Sequence, residues 1–427
     1  MPAVQHLSVK NGDVLLLVGT MKGAFFVRSD KSRKKWSVGG PYSAGSPVYA
    51  LAYDERAGRN RIWWATQSFR WGTFLKTTDD FGKTSTEPET YSVKFPEQSG
   101  LALKNIWQIS APASRPDKLY CGVEPACLFE SSDNGATWTP VAGMLNHPHR
   151  PKWMPGGGGL CLHTIAPHPD DPQSTVIAIS TAGCYRTDDG GATWEPKNKG
   201  IRAVFLPDQY PEFGQCVHKV ARAAGQPDRM YLQNHWGLYR SDDGGESWND
   251  IANGVPSDFG FPVVAHPQDP DTAYIIPVES DEYRCTPEGK LRVYRTRNAG
   301  ESWEPMTSGL PQKNALETIL RDSMATDMLD PAGIYFGTRS GKVYGSSNEG
   351  KSWDVVIEGL PPVVCVRAVV VGDGAGSTRS SGGAAKTKAR GGTASTTTKM
   401  SAKSSAARNT KAAARKSSSK KDARRSR

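Results

Sequence analysis

No stretch of about 18 consecutive apolar residues, the length that a membrane-spanning helix needs, occurs in this chain of 427 residues. Residues 1–13 also lack the basic region and the apolar core of a secretory signal peptide. The sequence therefore predicts no membrane span and no signal peptide.

Cysteine is scarce and irregularly placed. The seven cysteines are an odd number and include no Cys-x-x-Cys pair, which argues against a disulfide framework. Unpaired thiols are typical of a reducing compartment. We therefore expect reduced cysteines and a cytoplasmic protein.

Acidic residues are nearly missing from the end of the chain. Residues 372–427 contain 15 Lys or Arg residues and two acidic ones, a net charge of +13. The preceding 371 residues carry 38 basic and 41 acidic side chains, so the formal net charge of +10 belongs to this segment alone. The segment also has no aromatic residue. Such a composition cannot bury enough apolar surface to fold, so we predict a disordered basic tail.

Glycine and tryptophan, in contrast, are frequent and recur in an eight-residue motif. The motif is Ser/Thr-x-Asp/Asn-x-Gly-x-Thr/Ser-Trp, and five copies begin at residues 131, 187, 241, 296 and 346. Two degenerate copies begin at residues 29 and 78. The final positions of the seven copies are 49 to 56 residues apart. This spacing indicates seven structural repeats.

Each motif has the composition of a tight turn between two strands. Asp or Asn accepts hydrogen bonds from the following backbone N–H groups, and Gly supplies the positive φ that such a turn needs. Short strand-like runs precede the turn, for example residues 118–123 and 127–130 before the copy at residue 131. Each repeat is therefore predicted to contain four short strands, the unit of a β-propeller blade.

The motif resembles the Asp box, or BNR repeat, of a β-propeller superfamily that includes sialidases, xyloglucanases, sortilin-type receptors and a photosystem assembly factor. The resemblance covers roughly residues 13–371. It implies an all-β fold, a seven-bladed β-propeller with Asp-box turns over residues 13–371, followed by the disordered tail over residues 372–427. Because the Asp box is structural in that superfamily, it implies little about activity.

The order of the strands also predicts how the ring closes. The first repeat begins at residue 14 with a second strand, and one additional strand, residues 363–371, follows the last motif. A propeller without its inner strand would expose a sheet edge. We therefore predict that residues 363–371 pair with residues 14–18 and complete the first blade.

Aligned inner strands place one side chain per blade at the mouth of the central channel. These residues, in blade order, are Arg367, Tyr49, Trp107, His163, His218, Phe261 and Asp322. Loops between the second and third strands reach the same face and are frequent carriers of function. They add Lys22, Gln67, Arg70, Glu124, His235, Glu279 and Arg339.

Three interpretations of this polar channel mouth stay open. Its side chains can simply contact channel water. They can bind a divalent metal through His163, His218 and His235, with Glu124 as the fourth ligand or a base. Alternatively, carboxylates at the mouth exchange protons with a substrate while arginines bind an anion.

We predict catalytic roles for Glu124, His163, His218 and Asp322. The residues predicted to contact a small sugar-like or anionic substrate are Tyr49, Trp107, His235, Glu279, Arg339 and Arg367. In the carboxylate interpretation, the acid–base groups are Glu124, Glu279 and Asp322, and the anion-binding groups are Arg339 and Arg367.

The resemblance does not extend to a sialidase site. Sialidases, as the resemblance implies, have six blades and an early Arg-Ile-Pro motif, whereas this chain has seven repeats and Gly19-Thr-Met-Lys22-Gly23 in its first repeat. Xyloglucanases clasp their substrate between two propellers, and one is predicted here. Two hypotheses remain: a glycoside-hydrolase-like enzyme acting at the mouth, or a non-catalytic propeller that binds a protein or ligand partner on the same face.

The tail generates a testable prediction of its own. Its spaced positive charges should bind DNA or RNA through phosphates, without base preference, and a solubilising or tethering extension is the alternative. In a mobility-shift assay, the full chain should bind with an affinity that falls steeply with salt, and a chain ending at Val371 should not bind. Equal binding by both chains, or binding that ignores salt, would contradict this prediction.

Overall fold

Seven antiparallel sheets follow one another along the chain in a computed structural model, which describes residues 4–68, 70–86 and 92–372. Over these residues six sheets have four strands and one has three. Helices are limited to a few short turns. The prediction of an all-β seven-bladed propeller is confirmed. The predicted basic tail lies, from residue 373 onward, outside the described residues.

The first four blades occupy the first half of the chain. Their strands are β1 (Val14–Thr20), β2 (Gly23–Ser29), β3 (Ser37–Tyr42), β4 (Ala50–Asp54), β5 (Arg61–Ser68), β6 (Gly72–Thr78), β7 (Asn105–Ser110), β8 (Leu119–Glu124), β9 (Cys127–Ser131), β10 (Thr139–Pro140), β11 (Leu162–Pro167), β12 (Thr175–Ile179), β13 (Gly183–Thr187) and β14 (Glu195–Pro196). Among the described residues there is one α-helix, α1 (Ala142–Leu145), and 3-10 turns lie at Arg56–Gly58, Glu97–Ser99 and Arg150–Lys152.

The remaining blades repeat the pattern. Their strands are β15 (Val217–Arg222), β16 (Met230–Asn234), β17 (Leu238–Ser241), β18 (Asn249–Asp250), β19 (Gly260–Ala265), β20 (Ala273–Pro277), β21 (Val293–Thr296), β22 (Glu304–Met306), β23 (Met324–Thr326), β24 (Ile334–Gly337), β25 (Val343–Ser346), β26 (Asp354–Ile357) and β27 (Val363–Val370). A 3-10 turn lies at Pro287–Gly289.

The last strand closes the ring as predicted. Strand β27 pairs antiparallel with β1, from Val14 opposite Val370 to Thr20 opposite Val363. It therefore becomes the innermost strand of the first blade, in the order β27-β1-β2-β3. The innermost strands of the seven blades are β27, β4, β7, β11, β15, β19 and β23, and each contacts the next around the channel.

The second strands of the blades are buried on both faces because each sheet packs against two neighbours. Strands β1, β16 and β24 are buried along their whole length. Their sequences are correspondingly rich in Val, Leu, Ile and aromatic residues, which fill the space between packed sheets. The core is thus a ring of inter-blade layers, and the central channel is the surface left at its axis.

The Asp-box turns share one hydrogen-bond pattern. In the copy at residue 241, the Asp243 carboxylate accepts hydrogen bonds from the Ser247 N–H at 3.0 Å, the Ser247 hydroxyl at 2.6 Å and the Ser241 hydroxyl at 2.8 Å. Asn298 makes the equivalent contacts in the sixth blade, with its amide group donating to the Ser302 hydroxyl at 2.9 Å. The degenerate copy at residue 78 keeps the same bonds.

These bonds favour the ionised carboxylate. In the third blade, hydrogen bonds from Thr137 and then Ser131 lower the pKa of Asp133 to about 2. A carboxyl group with a depressed pKa in the folded state stabilises the fold above its ordinary pKa and loses that effect as the pH falls toward the depressed value. The turns should therefore weaken only in strong acid.

The motif tryptophans pack between neighbouring blades. Trp138 meets Trp63 of the second blade edge to face, with ring centroids 6.5 Å apart. Trp248 and Trp303 donate their indole N–H groups to backbone carbonyls of the preceding blades, at 2.9 and 2.8 Å. Gly135, at φ +85°, lies so close to Trp63 that an added Cβ would fall 2.2 Å from the ring. The turn therefore needs glycine for both its conformation and its packing.

The seven cysteines are all free, as expected from their number and spacing. Over the residues that the structure describes, no helix has the length and apolar character needed to cross a membrane.

Replacing a motif aspartate tests the structural role of the turn. Asp243→Ala removes three accepted hydrogen bonds and should lower the free energy of unfolding by about 1–3 kcal/mol. Asp243→Asn should cost clearly less, because Asn298 makes the same contacts in its own blade. Urea unfolding of the three proteins measures both changes. A loss that is equal for alanine and asparagine would show that these hydrogen bonds do not stabilise the turn.

Candidate functional site

β-Bulges near the start of the inner strands position the residues at the channel mouth. The register between first and second strands shifts by one residue at Trp107, His163 and His218, and by one residue between Gly260 and Val263, the segment that contains Phe261. A bulge leaves its extra residue unpaired and turns that side chain away from the regular alternation. The four residues that sequence alignment placed together are therefore structurally equivalent.

His163 lies inside the wall between the fourth and fifth blades. It is fully buried, its Nε2 lies 2.9 Å from the Val217 carbonyl oxygen, and its Nδ1 lies 3.0 Å from the Thr164 hydroxyl. Burial, together with the nearby Arg321 guanidinium, lowers the pKa of His163 well below its usual value. Both ring nitrogens are thus occupied by protein groups, and His163 joins two blades as a neutral ring.

His218 repeats this arrangement one blade further on. Its Nδ1 lies 2.5 Å from the Gly260 carbonyl oxygen of the sixth blade, and its ring stacks on Phe261 at 4.8 Å. Its Nε2, however, lies 3.7 Å from the Cys216 thiol. Burial is again the main cause that lowers its pKa.

The predicted metal-ligand set is corrected by this geometry. Among the described residues, the His and Cys side chains whose ligand atoms converge are Cys216, His218 and His235, with all three atoms within 4.8 Å of one another. His163 is not a member of this group, because its ring nitrogens face Val217 and Thr164.

His235 lies at the rim, in the loop after β16. Its Nε2 is 3.1 Å from an Asp281 carboxylate oxygen, and its ring contacts Trp236 at a centroid distance of 4.1 Å. Burial lowers the pKa of His235 despite this carboxylate. In turn, the hydrogen bond from His235 lowers the pKa of Asp281.

Trp107 forms an aromatic wall with Tyr49 of the neighbouring blade. The two rings are 4.9 Å apart at their centroids and both are half-buried. The Trp107 indole N–H donates to Glu124 at 3.1 Å. Gly159, at φ +84°, leaves space for this carboxylate, since an added Cβ would lie 2.5 Å from Glu124 Oε1. Three predicted site residues, Tyr49, Trp107 and Glu124, are therefore brought together on one side of the mouth.

Arg321, which sequence reasoning missed, crosses toward the same wall from the seventh blade. Its guanidinium carbon lies 5.6 Å from the centre of the Trp107 ring, and its Nη1 lies 3.4 Å from the Cys161 sulfur. Gly158 leaves room beside it, with a hypothetical Cβ 3.7 Å from Arg321 Nη2. Its position immediately before Asp322 in the chain was the available signal.

Asp322 is buried between two cations. Its Oδ1 accepts hydrogen bonds from Lys219 Nζ and Arg367 Nη2, each at 2.8 Å. Burial acts to raise the pKa of Asp322, but Lys219 and Arg367 more than offset it, so the pKa lies well below its usual value. The cluster links the fifth, seventh and first blades across the channel. A carboxylate held ionised in this way is a poor proton donor, and Arg367 already has a carboxylate partner. The predicted acid–base role of Asp322 and the predicted anion-binding role of Arg367 stay predictions.

The remaining predicted residues lie at the edge of the site. Glu279 is exposed, and its backbone N–H donates to the Cys285 carbonyl at 2.7 Å. Arg339 is half-buried, and its backbone N–H donates to the Thr318 carbonyl at 3.0 Å. The catalytic roles given to Glu124 and His218, and the substrate contacts given to Glu279 and Arg339, stay predictions.

Several residues at the mouth were missed because each bulge shifts the inward-facing positions by one. Lys219 directly follows His218, and Arg321 directly precedes Asp322, so both are adjacent to residues that the alignment selected. Cys216 aligns with Cys161 in the preceding repeat, which was a visible signal. Asp281 lies in the long irregular segment between β20 and β21.

No protein-family model matches this chain. Among curated proteins, it is similar to a probable oligoxyloglucan-reducing end-specific xyloglucanase of Neosartorya fischeri, with 22% identity over 259 residues. The match covers 54% of this chain and 30% of the relative, so the chain spans less than a third of that relative's length. The propeller is thus weakly related to xyloglucanases.

Three solved structures are also similar to this chain. An ancestral GH74 enzyme matches with 14% identity and a TM-score of 0.48, over 75% of this chain and 38% of that one. YCF48 bound to D1 peptide matches with 14% identity and a TM-score of 0.46, over 83% of this chain and 88% of that one. Apo AztD from Citrobacter koseri matches with 10% identity and a TM-score of 0.49, over 84% of this chain and 98% of that one. At these values, none of them indicates a ligand or a reaction for this chain.

The buried ion cluster generates a stability prediction. Asp322→Asn leaves Lys219 and Arg367 without a counter-charge and should lower the free energy of unfolding by about 3–5 kcal/mol, measured in urea at neutral pH. Because the pKa of Asp322 is depressed in the folded state, its contribution is present above its usual pKa and is lost on acidification. Asp281→Asn, at an exposed carboxylate, is the matched control and should change stability much less. An equal loss in both variants would contradict the role of the cluster.

Proposed function

We propose that this protein is a ligand-binding propeller whose channel mouth binds a small anionic, sugar-like molecule without cleaving it. The observation that carries the proposal is the position of Arg321 over Trp107. Arg321 binds the anionic group, and Trp107 with Tyr49 provides the surface on which a ring can stack.

Arg321 is a cation that has no carboxylate counter-ion among the described residues. It is half-buried, and the contacts of its guanidinium are the Trp107 ring and the Cys161 sulfur. No carboxylate lies within 4.0 Å of it among the described residues, whereas Arg367 is paired with Asp322. A partly desolvated guanidinium is stabilised by an anion, and its planar donors match carboxylate and phosphate groups.

The aromatic wall supplies the second part of the recognition. Tyr49 and Trp107 are both partly accessible, and their rings are 4.9 Å apart. Binding sites for small molecules combine apolar surface with a few fixed polar groups. Here, Arg321 lies over the face of the Trp107 ring, and Glu124 accepts from the indole N–H at the edge of that ring. A sugar-like ring beside the indole can therefore donate to Glu124 and present an acidic group to Arg321.

The state of the carboxylates argues against cleavage. Glycoside hydrolysis requires two carboxyl groups about 5–9.5 Å apart, one of them protonated. Asp322 is neutralised by two cations, and Glu279 is exposed at the rim. Glu124 accepts the Trp107 N–H, a role that holds the indole in place.

A matched pair of ligands tests the proposal. Glucuronic acid should bind at least about tenfold more tightly than glucose, because a charge-assisted hydrogen bond contributes about 1.5–3 kcal/mol. Isothermal titration calorimetry on the full chain measures both affinities. Arg321→Gln should abolish the difference between the two sugars, and Trp107→Ala should weaken both. Arg297→Gln removes an exposed cation from an Asp-box turn and should leave the difference unchanged.

Two outcomes would overturn the proposal. One is an equal affinity for the acidic and the neutral sugar in the unmodified protein. The other concerns the second candidate function, glycan hydrolysis, which the 22% similarity to a xyloglucanase favours. Release of reducing ends from xyloglucan oligosaccharides, abolished by Glu124→Gln, would establish that candidate and contradict a non-catalytic role.

A further inference from the structure

Three side chains with metal-ligating atoms converge at the start of the fifth blade. Cys216 immediately precedes β15, His218 occupies the bulge in that strand, and His235 follows β16. Their ligand atoms lie within 4.8 Å of one another. Cys216 and His235 are half-buried and His218 is buried, so the cluster faces the mouth from a largely protected position.

Both histidines are oriented by a partner on their other nitrogen. His218 Nδ1 lies 2.5 Å from the Gly260 carbonyl oxygen, which can only accept, so Nδ1 carries the proton and Nε2 presents its lone pair to Cys216. His235 Nε2 lies 3.1 Å from the Asp281 carboxylate, which leaves Nδ1 as the free nitrogen. Backbone carbonyls and carboxylates are the usual outer partners of metal-binding histidines.

The distances suit a tetrahedral site. Zinc binds sulfur at about 2.3 Å and imidazole nitrogen at about 2.0–2.1 Å, so a sulfur and a nitrogen on one ion lie roughly 3.6 Å apart. The observed distance from Cys216 Sγ to His218 Nε2 is 3.7 Å. A small movement of the half-buried His235 ring brings the third ligand to the same centre.

We propose that Cys216, His218 and His235 form a binding site for a zinc-class divalent transition metal, with the fourth position open toward the channel mouth. One thiolate and two imidazoles are ligands that such ions prefer over the oxygen-binding cations calcium and magnesium. This site is independent of the sugar-like ligand that Arg321 is proposed to bind.

Some of the nearby charges disfavour the binding of a metal cation, and others favour it. Arg284, whose guanidinium lies 5.6 Å from the Phe261 ring centre, and Arg321 are the nearby cations that oppose it. The Asp281 carboxylate on His235 supports it, and so does the negative charge that Cys216 acquires on binding. Binding displaces the thiol proton of Cys216 to solvent, so the affinity should rise with pH.

The fourth blade provides an internal comparison. Cys161 and His163 have the same spacing as Cys216 and His218. Ser180 occupies the position that corresponds to His235, because the Ser180 and His235 N–H groups donate to the Cys161 and Cys216 carbonyls in the same way. Cys161 contacts Arg321, and both nitrogens of His163 are occupied. The fold therefore carries a Cys-x-His pair in two blades and completes a ligand set in one of them.

Cobalt substitution tests the site on the full chain. After treatment with a chelator, the protein should bind one equivalent of Co²⁺ and show a thiolate-to-cobalt charge-transfer band in the near ultraviolet, with the intense visible bands of tetrahedral cobalt. Zn²⁺ should displace the cobalt and remove both features. Cys216→Ser should lose the charge-transfer band, His218→Gln and His235→Gln should weaken binding more than tenfold, and Asp281→Asn should weaken it by about tenfold.

The matched controls are Cys161→Ser and Arg321→Gln, which should both keep the cobalt spectrum. The second control separates this proposal from the sugar-binding proposal, which the same substitution disrupts. Should a Cys216 variant fail to fold, the unmodified protein gives the answer, because Zn²⁺ should protect Cys216 from alkylation and leave the half-buried Cys285 reactive. A spectrum that survives Cys216→Ser, a spectrum lost equally in Cys161→Ser, or no protection of Cys216 would overturn the assignment.

Discussion

The antiparallel pairing of β27 with β1 holds the ring in register, from Val14 opposite Val370 to Thr20 opposite Val363. This pairing joins the first and last strands of the described chain in one sheet, whereas neighbouring blades contact one another through packed side chains. Strand β27 also carries Arg367 and bridges to the seventh blade through Cys365 and Asp322. Channel geometry is therefore a consequence of closure, because side chains from the first and seventh blades meet only when the ring is complete.

Polar residues on the inner strands divide into two groups with different roles. One group joins blades: His163 and His218 each contact a backbone carbonyl of the next blade, and Asp322 holds Lys219 and Arg367 together. Buried polar groups of this kind must be fully bonded, since an unpaired one costs as much as a lost hydrogen bond or more. The other group contains the Arg321 guanidinium, which has no carboxylate partner among the described residues, and the Cys216 thiol, which faces a histidine nitrogen. The proposed ligand and metal sites belong to this second group, and His218 belongs to both because it has two ring nitrogens.

Much of the architecture could be predicted from the chain because the repeat is local. The Asp-box turn is made by residues four apart, such as Asp243 and Ser247, so its hydrogen bonds depend on sequence neighbours only. Repeat spacing then indicated seven blades, and the extra strand at residues 363–371 indicated the closure. The alignment of Trp107, His163 and His218 was also correct, since the same bulge recurs at each of them. The candidate site was predicted less well, because its members come from different blades.

The sequence by itself determined the blade, its turns, the number of repeats and the strand that completes the ring, because these features follow from hydrophobic alternation and short-range hydrogen bonds. Only the tertiary structure decided which polar side chains are free. The local sequence does not distinguish Asp322 from an acid–base carboxylate. Its ion pairs with Lys219 and Arg367, which belong to two other blades, are visible only in the folded structure. Similarly, His163 and His218 both lie two residues after a cysteine, but the His235 ring, bonded to Asp281, approaches only His218. Charge pairing across a channel depends on distance in space, and that distance is a property of the closed ring rather than of any single repeat.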